Sequence, residues 1–446
     1  MRKTVLVLVW SVLPIGGLQA QSAEKVWTLE ECMRYAIENS HEVKKQQYTN
    51  ANYRQDYISA VAQMMPSVSG SVDVSSNFGR SLDPATNTYA SNVNFNNSYG
   101  VGASIGVFGG FTAINNLRLT KVARRQGEDE LQKAADDISL SVMENYFWVV
   151  YYEGVVRMSA EQLEESRLRQ TVEQEALGLK SRADVVQVEA EVATNDAALT
   201  GSRNNLTNYL TLLKTKMNYP LNDTLRIDTQ VDLLAQEMSE TAESIYFDAR
   251  RQNPMAKIAD FNLRQSRLRY SIAKGNYYPS LSISGGYQTN YFIADMDHTD
   301  QSPSFKNQFR DNRGEYIQAS LSIPIFNSLS RRTNVNRSRN NMLIQEQNRN
   351  QTLQQLQSDI RKAVDDCQGY AKQYEQMKKR VEANQLAYDV MRRKYEEGLV
   401  SPLDLQTSAN LLLSAKADQL KTKLDYIIQC RLVKYYKGIP LIEQLQ

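Results

Sequence analysis

The chain has little of what most enzyme chemistry needs. It holds two histidines and three cysteines in 446 residues. There is no HExxH, no CxxC and no phosphate-binding GxxxxGK[ST], so zincin, dithiol and P-loop chemistry have no residues to work with. An odd cysteine count excludes a fully paired disulfide framework. Neither a cofactor nor a metal is expected. Breakers are also scarce: 20 glycines and 10 prolines fall well below the usual share of about 12%. Few breakers over so long a chain predict long helices. Charge of one sign is missing too. Setting aside Arg2 and Lys3, 50 basic side chains face 50 acidic ones, which argues against nucleic acid as a partner.

Long apolar runs are absent beyond the N-terminus. There, Arg2 and Lys3 precede Val5 to Leu13, and small residues lead to Ala20. This is the pattern of an export signal at 1–20. Gln21 follows, where a lipid-anchored protein would carry cysteine, so no lipid anchor is expected. Later, the longest apolar run is Tyr146 to Tyr152, too short for a membrane-crossing helix. A β-barrel leaves a weaker trace and stays open.

Landmarks recur in order through the chain. Met65-Pro66-Ser67 matches Tyr278-Pro279-Ser280. Ser104 to Phe108 matches Ser322 to Phe326. Gly178-Leu179-Lys180-Ser181 with Asp184 matches Gly398-Leu399-Val400-Ser401 with Asp404, and Pro220 matches Pro440. A near-constant offset predicts one unit used twice: a first repeat over 21–220, a linker over 221–240 and a second repeat over 241–446. Each reads helix, strand, strand, long helix, tight turn, helix. The spans 111–177 and 328–396 each read as one helix with heptad-like apolar positions, such as Leu140, Met143, Phe147 and Val150. Some 67 residues at 1.5 Å rise give roughly 100 Å, a length for crossing a periplasm.

Alternation marks four strands of about 9–12 residues. Val68, Gly70, Val72 and Val74 oppose a row of serines, and Val101, Ala103, Ile105 and Val107 share a face. In the second half Leu281, Ile283 and Tyr287 share one, as do Ile317, Ala319, Leu321, Ile323 and Ile325. One apolar and one Ser/Gln face is the barrel pattern, although a soluble sheet over a core alternates likewise. Four strands cannot close, and open edges are not tolerated in lipid, so copies of the chain are expected to associate. The segments 80–97 and 293–315 are expected to be exposed loops. The cluster Asp295, Asp297, His298 and Asp300 reads as solvated loop rather than a metal site.

These features together resemble the TolC-type outer-membrane efflux proteins over about 28–440. The resemblance implies a mainly α fold with a small antiparallel β part. Long coiled-coil hairpins would form a periplasmic tunnel, and four strands per chain would complete a 12-stranded barrel in a homotrimer. It implies an outer-membrane channel, the exit duct of a tripartite efflux or secretion system, with a periplasmic adaptor and an inner-membrane transporter as partners. The tips Gly178, Leu179, Lys180, Ser181 and Gly398, Leu399, Val400, Ser401 would dock the adaptor. Asp404 and Asp184 would line the periplasmic gate, with Tyr395 holding the closed state against Asp184. Thr407 and Val400 depart from the family pattern, where an acid and a basic residue stand, and Lys180 is a candidate replacement contact. Cys367 and Cys430 sit 32 and 31 residues from Leu399, at matching height on one hairpin, where an oxidising periplasm permits a disulfide. The other reading of the coiled coils is a structural envelope rod without transport.

Overall fold

The computed structural model describes residues 25–83, 87–175, 182–230, 240–293 and 304–445. The expected signal segment, the first hairpin tip and the Asp295–Asp300 cluster lie outside them. In the first half, β1 (Val26–Trp27) leads to α1 (Leu29–Asn39), α2 (His41–Ala62), β2 (Ser67–Asp83), β3 (Thr88–Gly109), α3 (Thr112–Glu175) and α4 (Arg182–Met217). After β4 (Arg226–Ile227) come α5 (Ala242–Gln252), α6 (Pro254–Gly275), β5 (Ser280–Ile293), α7 (Phe305–Asp311), β6 (Gly314–Ser322), α8 (Ser330–Glu396) and α9 (Pro402–Tyr436).

The halves repeat each other closely. α1 and α5 are both 11 residues long, and α2 and α6 both 22. Their helix starts use matching chemistry. Thr28 caps α1 through a capping box with Glu31, and Thr241 caps α5 by accepting from the Ser244 N–H. Ser40 and Asn253 cap the second helices. At the strand-to-helix exits the backbone turns left-handed twice over, at Gly110 and Phe111 (φ 61° and 64°) and at Ser328 and Leu329 (53° and 63°). Gly110 also lies against Gly275 so closely that a Cβ would meet the Gly275 carbonyl oxygen at 2.0 Å. No other residue fits where α6 crosses that exit.

The sheet runs β2-β3-β5-β6, antiparallel throughout. Each strand joins a helix, and the helices keep the strand order: α2 packs on α3, α3 on α6 and α6 on α8. Further down, α4 pairs with α3 and α9 with α8, while α3 and α9 touch. The chain is thus a long slab, mostly one element thick. At 64 and 67 residues, α3 and α8 span about 100 Å. Among the described residues, β2 and β6 each leave one edge unpaired.

Several expectations need correction. β2 and β3 extend to 17 and 22 residues, and β5 to 14. The Asn-rich segment expected as a loop is therefore mostly strand, with Asn92, Asn94, Asn96 and Asn97 paired to β2. Register continuity from the Val/Ser strand below overrides the low strand propensity of asparagine. The second expected loop contains α7. The two-residue parallel pair of β1 and β4 is too short to leave a periodic signal.

Cores form where the slab thickens at mid-height. Cys32, Met33 and Ala36 of α1 pack on Val142, Met143, Tyr146 and Phe147 of α3 and on Leu213 and Met217 of α4. Leu225 and Ile227 close this core, so part of the inter-repeat segment packs with Tyr146, Phe147 and Tyr151. The Tyr146 hydroxyl donates to the Asp228 carbonyl at 2.5 Å. The repeat's counterpart buries Ile245, Ala249, Leu356 and Ile360 around Cys367. Cys367 and Cys430 are disulfide-bonded, with Cα atoms 5.5 Å apart. Among the described residues, no helix is long and apolar enough to cross a membrane.

Candidate functional site

Three surfaces bear on function: the sheet, the hairpin tip and a polar knot between the hairpins. On the sheet, paired residues share a face. Val72 opposes Tyr99, Val101 opposes Tyr287, and Ile283 opposes Ala319. The apolar face is bare. Val68 is 71% exposed and Ile317 90%. The other face is polar, with Ser67 and Ser104 hydroxyls 2.9 Å apart and Tyr316 laid across Gly102 and Gly286. Away from its outer end, where α7 packs on it, the apolar face stays exposed in the single chain, so it is built for a surrounding that is itself apolar. The letters Gly-x-Ser-x-Gly at Gly102–Gly106 fall inside β3 and are paired to its neighbours, not at a strand-to-helix turn, so they form no nucleophile elbow.

The tip between α8 and α9 is tightly specified. Gly398 has φ 76°, a conformation glycine adopts without cost. Its N–H donates to the Tyr395 carbonyl at 2.9 Å, and the Leu399 N–H to the Lys394 carbonyl at 2.8 Å, the two bonds of a Schellman ending. Two residues on, Ser401 caps α9. Its Oγ accepts from the Asp404 N–H at 3.3 Å, and the Asp404 carboxylate accepts from the Ser401 N–H at 3.2 Å and Oγ at 2.7 Å. Pro402 fills the first helical position. Only Glu397 to Ser401 lie between the two helices. The turn leaves Leu399 69% exposed and Leu403 55% exposed.

Asp404, predicted at the gate, thus also serves as a helix cap. It is exposed, and the Ser401 hydrogen bonds hold its carboxyl below the usual carboxylate range. The Ser-x-x-Asp spacing carries this signal in the sequence, and Ser181-Arg182-Ala183-Asp184 repeats it. Asp184 is half-buried in the first turn of α4. Tyr395 packs partly buried against Tyr388, Leu405, Ala409 and Leu412. Thr407 bonds back to the Leu403 carbonyl at 2.8 Å. Gly178, Leu179, Lys180 and Ser181 lie outside the described residues.

The polar knot was not foreseen. About 15 Å above the tip, by ten residues of helix, the buried Tyr388 hydroxyl donates to the Glu165 carboxylate. This is a direct bond between α8 and α3. Burial, and then the bond to Glu165, push the Tyr388 pKa up. One turn along α3, the largely buried Arg169 pairs with the fully buried Glu191 of α4 at 2.5 Å. Burial raises the Glu191 pKa, against the pull of Arg169. Arg169 Nε and Nη1, Glu191 Oε2 and Asn195 Nδ2 find no hydrogen-bond partner in the chain. A buried pair left partly unsatisfied lowers stability rather than raising it. Among the described residues, no group of His, Cys, Asp and Glu could hold a metal ion.

The comparisons with known proteins agree with this geometry. Residues 245–431 match the family model for outer membrane efflux proteins. No curated protein sequence matches. The fold is similar to that of the Campylobacter jejuni CmeC outer membrane channel. That likeness has a TM-score of 0.79 at 17% identity, and covers 99% of this chain and 94% of that one. It is also similar to the open state of the Neisseria gonorrhoeae MtrE outer membrane channel, with TM-score 0.75, 18% identity and coverage of 94% and 89%. For the outer membrane protein VceC from Vibrio cholerae the values are 0.73, 14%, 93% and 96%.

Proposed function

We infer that this chain, a TolC-type outer-membrane efflux protein, is the exit duct of a tripartite efflux or secretion system. One observation carries the reading: a bare apolar sheet face continues directly into a one-layer slab of helices about 100 Å long. That shape places the four strands in the outer membrane and the helices in the periplasm. The proteins of this family are channels rather than enzymes.

The free edges of β2 and β6 set the assembly. An open edge in hydrocarbon leaves backbone donors and acceptors unpaired, at several kcal/mol each. The edge must pair with another copy. Two copies give eight strands, whose interior side chains fill. Three give twelve, and α2 and α8 then meet between neighbours as β2 and β6 do. The homotrimer is therefore the assembly we propose, built from repeats at 21–220 and 241–446 around the linker 221–240, after removal of a signal at 1–20. Chemical cross-linking of the purified protein tests it: a ladder ending at three copies supports the trimer, and one ending at two contradicts it.

Exposed Leu399 on the turn and Leu403 in the first turn of α9 are knobs for a partner's helices. The docking role belongs to Gly398, Leu399, Val400 and Ser401, and by the repeat to Gly178, Leu179, Lys180 and Ser181. The partner is a periplasmic adaptor, joined to an inner-membrane transporter that drives export. Asp404 and Asp184 form the mouth with Tyr395, and the three symmetry-related Asp404 carboxylates there favour cations. A structural rod without transport has no use for the polar sheet face or the bare apolar one.

A further inference from the structure

The outer end of the sheet carries a small helix that the duct itself does not need. α7 lies on the same face as the lipid-facing residues. By register, Tyr99, Thr289 and Tyr291 share the side of Val101 and Ile283. Phe305 and Phe309 of α7 pack on it, with Phe309 5.3 Å from Tyr99 and Phe305 5.2 Å from Tyr291 between ring centroids. The helix is firmly seated. Beyond the end of β6, Gln308 takes the place of a strand, accepting from the Phe292 N–H at 2.9 Å and donating to its carbonyl at 2.8 Å. Thr289 donates to the Phe309 carbonyl at 2.7 Å. These contacts fix α7 about 23–33 Å above Ser280, taking nine to thirteen residues of tilted strand. An outer-membrane apolar band is about 25 Å tall, so α7 stands at its outer boundary.

There it offers two chemistries side by side. Phe305 and Phe309 remain 46% and 40% exposed after packing. Lys306, Arg310 and Arg313 stand beside them in water. Asp311 takes up Arg310 at 2.7 Å and also feels the charge of Arg313, but among the described residues neither Lys306 nor Arg313 is in direct ion-pair contact with a carboxylate. Exposed aromatic rings at the hydrocarbon edge with cations just above fit an amphiphile whose anionic head sits at that level. The continuity of α7 with the lipid face makes the occupant a membrane lipid rather than a soluble anion.

We propose that α7 is a lipid-binding foot that holds the phosphorylated headgroup of an outer-leaflet glycolipid, with Lys306 and Arg313 on the phosphate and Phe305 and Phe309 against the acyl chains. It rests on the outer-membrane reading above. The test is titration of the purified assembly in detergent with bisphosphorylated lipid A, read by native mass spectrometry. The comparison is between the unaltered protein and the Lys306→Glu/Arg313→Glu variant. The variant is expected to bind about tenfold more weakly, as the loss of charged hydrogen bonds to phosphate implies. Its oligomer and its conductance in planar bilayers stay unchanged. Dephosphorylated lipid binds the unaltered protein as weakly, and excess inorganic phosphate does not displace the lipid. Equal binding by both proteins, full binding of the dephosphorylated lipid, or displacement by free phosphate each overturns the proposal. If the charge-reversed protein does not assemble, Arg313→Gln alone gives the same comparison. Loss of conductance in the unaltered protein would instead strike the channel reading.

Discussion

The Tyr388 hydroxyl on α8 donates a hydrogen bond to the Glu165 carboxylate on α3, joining the two helical hairpins just above their tips. α8 is an edge element of the slab, and a gate that widens must move such an edge away from its neighbours. Tyr388→Phe removes the bond but keeps the packing against Leu405 and Leu412. We expect an intact assembly with larger single-channel conductance. Unchanged conductance would mean that this bond does not hold the gate.

Adaptor docking rests on the exposed Leu399. Leu399→Asp places a charge on the knob without disturbing the Schellman bonds, which are backbone to backbone. The assembly should survive while adaptor capture in a pull-down is lost. Retained capture would remove the tip assignment.

The disulfide ties α8 to α9 across a sequence separation of 63 residues. Closing a loop of that size constrains the unfolded chain by about 2–4 kcal/mol. Cys367→Ser/Cys430→Ser should lower the midpoint of denaturant unfolding by that order and leave conductance unaltered. Tryptic peptides from unreduced protein with both thiols free would show that the bond does not form.

Asp136 is 5% exposed, and burial pushes its carboxyl up to about 6 from 3.8, against a hydrogen bond from Gln132. The folded chain therefore holds this proton more tightly than the unfolded one. Stability falls as pH rises from 3.8 to about 6, and the full penalty, about 3 kcal/mol at most, stands above that. Asp136→Asn should stabilise the protein at pH 7.5 and lose that advantage near pH 4. An equal gain at both pH values would contradict this.

The large features were legible in the sequence because they rest on period and punctuation. Helix α3 begins one residue from the expected start, and α8 begins two residues from its expected start and ends at the expected residue, since the long proline-free stretches and the Gly398-Leu399 turn set them. The sheet faces followed from Val/Ser alternation. Strand length did not, because asparagine argues for loops and only the pairing partner shows otherwise. Tyr388 stayed hidden behind Tyr395: family likeness pointed to the tyrosine three before Gly398, while the bond to α3 is made one heptad earlier. A contact between side chains 223 residues apart leaves no local mark. The Ser401–Asp404 cap did leave one, in a spacing that also suits a gate acid.

The central claim is that the assembled chain is a duct. Purified protein in planar bilayers tests it most directly, with Tyr388→Phe and Asp404→Ala alongside. The account predicts stable, cation-selective steps, larger in Tyr388→Phe and less selective in Asp404→Ala. No conductance from any of the three would contradict it.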